Sequence, residues 1–259
     1  MPAGVTLFDT HCHLNDGDAF PDPAATWAEA QAAGVAYGCV VGVDAEDSRA
    51  AIGLAERLPG LYAVVGWHPN QAQTLDEAGW AEIEAVARHP RVVAIGETGL
   101  DAHWNYSTRS QQVAAYERHV LLAEQLGKPM VIHCREAVPD LLAMMEVRPP
   151  QVGFVFHCFS GNSDEARRVL ELGGFLGFDG PLTYRRNDEL RAMVAGLPRD
   201  RMLLETDAPW LTPHPYRKER NRPALVAVVN ETLAEVWGVA PEESARITTE
   251  NGLRFFGLD

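Results

Sequence analysis

The feature that most constrains the fold is a unit that recurs eight times along the 259 residues: a short apolar run, a polar end and a helical stretch. Strands that alternate with helices in this way predict a parallel sheet, and eight such units in about 250 residues are typical of a (β/α)8 barrel. We therefore predict an α/β fold, a TIM-type barrel with some distortion, and a doubly wound open sheet is the alternative. The predicted strands are residues 5–8, 37–43, 61–66, 92–96, 130–133, 153–156, 175–178 and 202–204.

Helix boundaries are clearest in the connection that follows the fourth apolar run. Thr108 and Gln111 have the spacing of a capping box, which predicts a helix start. Gly127 ends the same helix, and Pro129 prevents it from resuming. Beyond the eighth run, residues 223–237 predict the helix that completes the barrel, and residues 241–247 and 251–256 predict an extra C-terminal helix.

Composition favours one globular domain over residues 1–259, because the chain has no Gly/Ser linker and no charge block that would mark a boundary. No apolar run approaches the ~18 residues of a membrane span, and the N-terminal residues lack the basic start of a signal peptide. The four cysteines lie in apolar runs, which indicates buried free thiols and suits a reducing compartment. We expect a cytoplasmic protein without membrane contact.

Metal-ligand residue types collect where the apolar runs end. His11 and His13 are two residues apart and point to the same side of a strand. The carboxyl ends of barrel strands meet at one end of the barrel, the mouth, where such side chains converge. Six ligands are too many for one tetrahedral zinc with an open position, and they suit two metal ions that share a carboxylate. The other four candidates follow later runs: Glu97, His133, His157 and Asp207.

Five motifs occur in order: Asp-Thr-His11-Cys-His13-Leu, Gly-Glu97-Thr-Gly-Leu-Asp, His133-Cys-Arg135-Glu-Ala, His157-Cys-Phe-Ser-Gly and Glu205-Thr-Asp207-Ala-Pro-Trp-Leu. Together they resemble the TatD-type metal-dependent hydrolases, a family of amidohydrolase-like barrels that includes deoxyribonucleases. The resemblance continues through Asn221 to Phe256 and covers nearly the whole chain. The chain departs from the family pattern at Arg222, where a glutamate is usual, and at Asp179, where a small residue is expected.

The resemblance implies a dinuclear centre with Zn, Mn or Mg as the divalent ions. Related barrels bridge their metals with a carbamylated lysine, but here Lys128 precedes the fifth strand and Lys218 lies in the final loop. Neither lysine is placed to bridge two metals at the mouth. The implied ligands are His11, His13 and Asp207 on one ion, His133 and His157 on the other, and Glu97 between them.

The expected chemistry is attack by a metal-activated water, because bound metals lower the pKa of water toward about 7. Asp207 is the expected general base, and Glu97 is the second residue expected to be essential for catalysis. His68 and Arg135 are expected to bind substrate by holding phosphate oxygens. The alternatives are a capped turn for His68 and an ion pair with Glu136 for Arg135.

Charge bears on the substrate class. A net charge of -14 argues against general coating of nucleic acid. Four aromatic residues in loops at the mouth either stack a base or pack in the core: Trp104, Tyr184, Trp210 and Tyr216. Six of the 22 basic residues lie in the loops after the seventh and eighth strands, as a phosphate-guiding rim or a plain solvated face: Arg185, Arg186, Arg217, Lys218, Arg220 and Arg222.

The leading interpretation is a metal-dependent deoxyribonuclease that acts at DNA ends or on a small phosphodiester. The word "DNA" comes from the family resemblance, since the residues alone indicate a two-metal hydrolase. Hydrolysis of a small ester, amide or lactone at the same dinuclear site is the alternative. A metal-binding scaffold without turnover is a third interpretation, against which the intact Asp207 argues. We expect a monomer.

Overall fold

The structure, a computed structural model, describes residues 6–259. Its parallel strands are hydrogen-bonded in chain order, each to the next. A doubly wound sheet would have a permuted strand order, so the barrel prediction is confirmed and the open sheet is wrong. A bridge between Cys12 and Ala208 joins the first strand to the segment after the last and nearly closes the barrel. The strands are Leu7–Cys12 (β1), Val35–Val41 (β2), Leu61–Val65 (β3), Val92–Asp101 (β4), Met130–Arg135 (β5), Phe154–Phe156 (β6), Phe175–Phe178 (β7) and Met202–Leu204 (β8).

Side chains reinforce the seam where β1 meets the segment after β8. The backbone amide of Asp207 donates to the carbonyl of His11 over 2.9 Å. The buried carboxylate of Asp9 accepts hydrogen bonds from the amide and the hydroxyl of Thr206, at 2.9 and 2.7 Å. The seam therefore sets His11 and Asp207 side by side, although they are nearly two hundred residues apart in the chain.

The strands differ from the prediction mainly at their ends. β1 includes His11, because it runs from Leu7 to Cys12 instead of ending at residue 8, and Val5 lies outside the described residues. β4 continues to Asp101, so Glu97 lies inside this strand and not at its end. The pairing of β4 with β5 shifts register beside Glu97. The second half of β4 contains polar residues that face the mouth. A search for apolar runs therefore ended the predicted strand too early.

Helices follow each strand, as the recurring unit predicts. The capping box of Thr108 and Gln111 is present, and Gly127 ends the same helix with a left-handed φ of 64°. Short 3-10 turns, Pro69–Thr74 and Gly180–Thr183, follow β3 and β7. The α-helices within residues 6–259 are Pro23–Ala32 (α1), Ala45–Arg57 (α2), Glu77–Val86 (α3), Arg109–Leu126 (α4), Val138–Val147 (α5), Ser163–Glu171 (α6), Asp188–Ala195 (α7), Val226–Trp237 (α8) and Pro241–Phe256 (α9).

The extra C-terminal helix is confirmed, but it is continuous where the sequence predicts two pieces. Residues 248–250 continue α9, and the hydroxyls of Thr248 and Thr249 both have partners there. Thr248 donates to the carbonyl of Ser244, and Thr249 donates to the carbonyl of Thr6, each at 2.9 Å. The helix is thereby held to the start of the first strand.

Apolar side chains fill the barrel interior below the mouth. One buried cluster includes a residue from every strand and two phenylalanines of α9. The ring of Phe256 lies 5.6 Å from that of Phe8, and the ring of Phe255 lies 5.0 Å from that of Phe175. Val131 belongs to this cluster, and the residue two positions on, His133, points the same way. The interior therefore changes from apolar to polar toward the mouth.

The cysteines and the apolar helices were the subjects of two expectations from composition. All four cysteines are free, and Cys158 is the partly buried one. No single helix among residues 6–259 has the length and apolarity of a membrane span, although the bent pair Pro223–Trp237 and Pro241–Phe256 reaches them when counted together.

Candidate metal centre

Glu97 lies at the centre of the mouth and is almost fully buried. Its Oε1 is 2.8 Å from both His133 Nδ1 and His157 Nε2. Its Oε2 faces the other way, 3.4 Å from His11 Nε2 and 3.8 Å from His13 Nε2. The two oxygens of one carboxylate thus face two separate pairs of imidazoles, which is the arrangement expected of a ligand shared by two ions.

Asp207 approaches the first of these pairs. Its Oδ1 lies 3.7 Å from His11 Nε2 and 3.5 Å from His13 Nε2. Its backbone is left-handed, with a φ of 53°, a conformation that costs a non-glycine residue free energy and is found most often at functional sites. Burial raises the pKa of Asp207, but the hydrogen bond with His13 and the charge of His11 outweigh it, so the pKa lies below its usual value.

His68 lies closer to the other ligands than a substrate-binding role requires. Its Nε2 is 3.2 Å from His133 Nδ1 and 3.5 Å from Glu97 Oε1. Its Nδ1 accepts the amide hydrogen of Asn70 at 3.0 Å and caps the turn Pro69–Thr74. The geometry therefore combines the predicted capped turn with a nitrogen that points into the centre.

The donor set fits divalent cations. Imidazole nitrogens lie 3.2–3.3 Å apart in three pairs, so several nitrogen donors converge on one space, and imidazole is a ligand that suits divalent transition metals. Among residues 6–259, the ion partners of Glu97 and Asp207 are all histidines, with no lysine or arginine to neutralise the two buried carboxylates. Three groups of ligand atoms lie within 4.8 Å of one another: His11, His13 and Glu97; His68, Glu97 and His133; His11, His157 and Asp207.

Asp101 orients His133 and was missed as a site residue. Its Oδ2 accepts hydrogen bonds from His133 Nε2 at 2.9 Å and from Asn70 Nδ2 at 3.0 Å. Burial raises the pKa of Asp101, but the hydrogen bonds from His133, the Trp104 amide and Asn70, with the charge of His133, together outweigh burial and hold the pKa below its usual range. This carboxylate fixes the ring so that Nδ1 faces Glu97, which is how outer carboxylates orient metal-bound histidines. The available signal was its position four residues after Glu97, on the same face of a strand.

Glu205 lies near His157 without a hydrogen bond to its ring, and it was also missed. Its Oε1 lies 3.6 Å from His157 Nδ1 and accepts the amide hydrogen of Cys158 at 2.5 Å. Burial lowers the pKa of His157, but the carboxylates of Glu97 and Glu205 raise it well above its usual value. Both histidines that lie 2.8 Å from Glu97 Oε1 therefore have a second carboxylate nearby, and that of His133 is hydrogen-bonded to the ring.

The two histidines of β1 and its end have different support. His13 Nδ1 lies 3.1 Å from the carbonyl oxygen of Val41, which also accepts a hydrogen bond from Asn15 at 3.1 Å. His11 Nδ1 has no hydrogen-bond partner among residues 6–259. Burial, followed by the charge of His157, lowers the pKa of His11.

Arg135 is placed differently from the expectation. It is exposed at the end of β5, and its guanidinium carbon lies 5.8 Å from the centre of the Trp104 ring. The alternative ion pair with Glu136 is wrong, because Glu136 Oε1 pairs instead with His103 Nδ1 at 2.8 Å. Arg135 thus borders an aromatic side chain and not the imidazole cluster.

Three of the predicted rim residues have partners within the protein. Arg222 pairs with Glu29 at 2.7 Å. Arg220 donates to backbone carbonyls of the loop after β1. The guanidinium of Arg217 lies 3.9 Å from the centre of the Tyr184 ring. Of these three residues, Arg222 is paired with a carboxylate, whereas Arg217 and Arg220 are held in place without being neutralised.

Residues 8–257 match the family model described as TatD related DNase. The uncharacterized metal-dependent hydrolase YabD of Bacillus subtilis is 38% identical over 254 residues, which cover 98% of this chain and 100% of that protein. The 3'-5' ssDNA/RNA exonuclease TatD of Edwardsiella piscicida is 36% identical over 255 residues, covering 96% of this chain and 98% of that protein. The crystal structure of YJJV, a TatD homolog from Escherichia coli K12, has a TM-score of 0.92 at 30% identity and covers 98% of both chains. The chain therefore belongs to the TatD-related DNase family and is a metal-dependent hydrolase.

Proposed function

We propose that this protein is an exonuclease that hydrolyses phosphodiester bonds at the ends of single-stranded DNA with two divalent ions in its mouth. The observation that carries the proposal is Glu97, whose two oxygens face two separate pairs of imidazoles. The name of the Edwardsiella piscicida relative, a 3'-5' ssDNA/RNA exonuclease, supports a single-stranded nucleic acid as the substrate.

The ligand set divides around Glu97 in this proposal. His68 lies beside Glu97 and His133, and because its Nδ1 accepts the Asn70 amide hydrogen, its Nε2 carries a hydrogen that it would donate to a phosphate oxygen. Two ions held in this way supply Lewis acidity, which lowers the pKa of a water to about 7 and offsets charge on the phosphate. The proposed ligands are His11, His13 and Asp207 on the first ion, His133 and His157 on the second, and Glu97 on both.

Asp207 accepts the proton of the attacking water in the proposed reaction. Its side chain is 14% exposed whereas that of Glu97 is 3% exposed, so Asp207 is the carboxylate that meets solvent. Asp207 is ionised at neutral pH and can accept a proton, although the neighbouring histidines lower its pKa and make it a weaker base. The oxygen of water forms a bond to phosphorus and its proton moves to Asp207. The bond from phosphorus to the leaving nucleoside oxygen breaks, and that oxygen takes a proton from solvent to become a hydroxyl.

The test uses protein stripped of metal by a chelator and single-stranded DNA labelled at one end. Mg, Mn or Zn is added singly, and the proposal predicts progressive shortening that depends on metal and is absent from Glu97→Ala. The label that is lost first identifies the end that is attacked. Glu77→Ala, which removes an exposed glutamate on α3, is the matched control and should cleave like the unaltered protein.

A different result would redirect the substrate assignment. No cleavage of DNA with any metal would contradict the exonuclease. Metal-dependent hydrolysis of a neutral lactone, ester or amide by the same preparation would support the alternative substrate class at the same dinuclear centre.

A further inference from the structure

An exposed aromatic pair lies in the loop between β4 and α4. Trp104 is 44% exposed and Tyr106 is 61% exposed. Their ring centres are 5.7 Å apart and their planes differ by 25°, which is a stacked arrangement. Two large rings that stack on each other in water present a flat apolar surface, and such surfaces mark sites of interaction.

This loop is tied to the proposed metal centre by one carboxylate. Asp101 Oδ1 accepts the backbone amide hydrogens of His103 and Trp104, at 2.9 and 3.0 Å. The other oxygen of Asp101 accepts a hydrogen bond from His133 Nε2 at 2.9 Å. The position of the Trp104 backbone is therefore coupled directly to a ligand of the proposed centre.

Arg135 supplies a positive charge beside the same pair. Its guanidinium carbon is 5.8 Å from the centre of the Trp104 ring, and no ion pair occupies it among residues 6–259. Arg135 follows His133 by two residues on the same face of β5, so their Cα atoms are roughly 7 Å apart. An aromatic surface and a guanidinium thus adjoin the end of the strand that carries His133.

We propose that Trp104 and Tyr106 form a stacking subsite for one nucleobase of the single-stranded substrate, with Arg135 on the adjoining phosphate. The inference rests on the proposed exonuclease function and adds a binding position to it. A nucleotide combines a flat ring with an anionic phosphate, and these match the aromatic pair and the guanidinium. With a net charge of -14, stacking supplies binding free energy that a broad basic surface would otherwise provide.

Two other aromatic residues of the mouth, Tyr184 and Trp210, have no stacked aromatic partner among residues 6–259, although Trp210 is 52% exposed. The Tyr184 ring has the guanidinium of Arg217 over it at 3.9 Å. The Trp210 ring makes an edge contact with the His13 ring, with centres 4.9 Å apart. The pair in the loop after β4 is the aromatic surface that combines exposed stacked rings with an adjacent unpaired cation.

The experiment is an abasic scan with the metal-loaded enzyme. The substrate is single-stranded oligothymidylate, and each comparison oligomer lacks the base at one position near the attacked end. Loss of the base at the stacked position should lower kcat/KM about 5- to 150-fold, which is the range for base–aromatic stacking. In the double variant Trp104→Ala/Tyr106→Ala, kcat/KM on the full oligomer should fall by a similar factor, and the abasic position should have no further effect.

Three more variants sharpen the scan. Trp104→Phe/Tyr106→Phe retains aromatic faces and should retain the abasic effect, which also guards against a loop that collapses in the alanine variant. Arg135→Ala should lower kcat/KM equally on full and abasic oligomers, because both keep the phosphate. Leu121→Ala, an exposed apolar truncation on α4, is the control and should match the unaltered protein on both oligomers.

The outcomes separate the two proposals. If the enzyme cleaves oligothymidylate but the alanine double variant keeps the full abasic effect, the stacking subsite is wrong and the exonuclease stands. If the abasic oligomers are cleaved as fast as the full one at every position, the stacking subsite is likewise wrong. If the metal-loaded enzyme leaves every oligomer intact, the exonuclease itself is wrong, and the subsite falls with it.

Discussion

The two sides of Glu97 are built differently. On the side of β5 and β6, each histidine has a carboxylate behind it: Asp101 behind His133 and Glu205 behind His157. On the β1 side, His13 Nδ1 contacts a backbone carbonyl, and His11 Nδ1, like His157 Nδ1, has no hydrogen-bond partner among residues 6–259. The hydrogen-bonded carboxylate behind His133 is therefore the feature that distinguishes the two sides. We call these two groups the β5 side (His133, His157) and the β1 side (His11, His13, Asp207).

This difference indicates that the two sides of Glu97 have different roles. A carboxylate behind an imidazole fixes the ring and makes it a stronger ligand, so we expect the β5 side to hold its ion more tightly. The β1 side instead carries Asp207, which is more exposed to solvent than Glu97, the other carboxylate that faces the histidines. The β5 side would hold its metal ion more tightly, and the β1 side would take part in proton transfer.

The largest effect is expected from Glu97→Ala, because it removes the ligand that both sides share. Turnover with saturating metal should fall by more than the 10- to 100-fold typical of outer-shell substitutions, by at least about 10³-fold. Steady-state kinetics measure the loss, and far-ultraviolet circular dichroism checks that the barrel remains folded. Activity within tenfold of the unaltered protein would contradict a shared carboxylate.

Asp207→Asn should separate rate from metal binding on the β1 side. Loss of a general base lowers kcat by about 10²- to 10⁴-fold, while the amide oxygen and the two histidines keep most of the bound metal. Kinetics and metal analysis of the same preparation test this. If bound metal and rate fall by the same factor, Asp207 is a ligand without a role in proton transfer.

Asp101→Asn tests the support on the β5 side. It leaves His133 in place but removes the charge behind it, so metal affinity should weaken about 10- to 100-fold. Competition with a metal indicator dye measures the affinity. Asp140→Asn is the matched control, because Asp140 is exposed on α5 and pairs with Arg109 away from the mouth. An equal affinity for both variants would remove the distinction between the two sides.

The smallest effect is expected from Asn15→Ala on the β1 side. Asn15 donates to the same Val41 carbonyl that contacts His13. Its loss leaves that carbonyl available to the imidazole, so metal affinity should change less than about tenfold, below the range for a carboxylate partner. The same dye competition applies. If Asn15→Ala lowered metal affinity more than Asp101→Asn does, the claim that the β5 side binds metal more tightly would be wrong.

The barrel was predictable because its signals are local. Eight apolar runs separated by helices determine the strand order through short connections, and the capping box at Thr108 and the left-handed Gly127 are visible in the sequence and present in the structure. The continuation of β4 past Glu97 was missed because its residues alternate toward a polar mouth, where apolar periodicity is lost. The continuity of α9 was missed because the hydroxyl partners of Thr248 and Thr249 depend on the folded contacts.

The site was partly predictable for a similar reason. The six predicted ligands face one space in the structure, since side chains at the carboxyl ends of neighbouring strands must converge. The outer partners Asp101 and Glu205 were missed, because their contacts depend on how β4 and the segment after β8 sit against neighbouring strands. The position of Arg135 over Trp104 depends on a loop conformation that no residue pattern specifies.

The most direct test of the account is anomalous X-ray diffraction from crystals grown with Mn or Zn. The account predicts two anomalous peaks in the mouth, roughly 3.5–4 Å apart, with one oxygen of Glu97 on each. A single peak, or two peaks with both oxygens of Glu97 on the same ion, would contradict the claim that this carboxylate is shared.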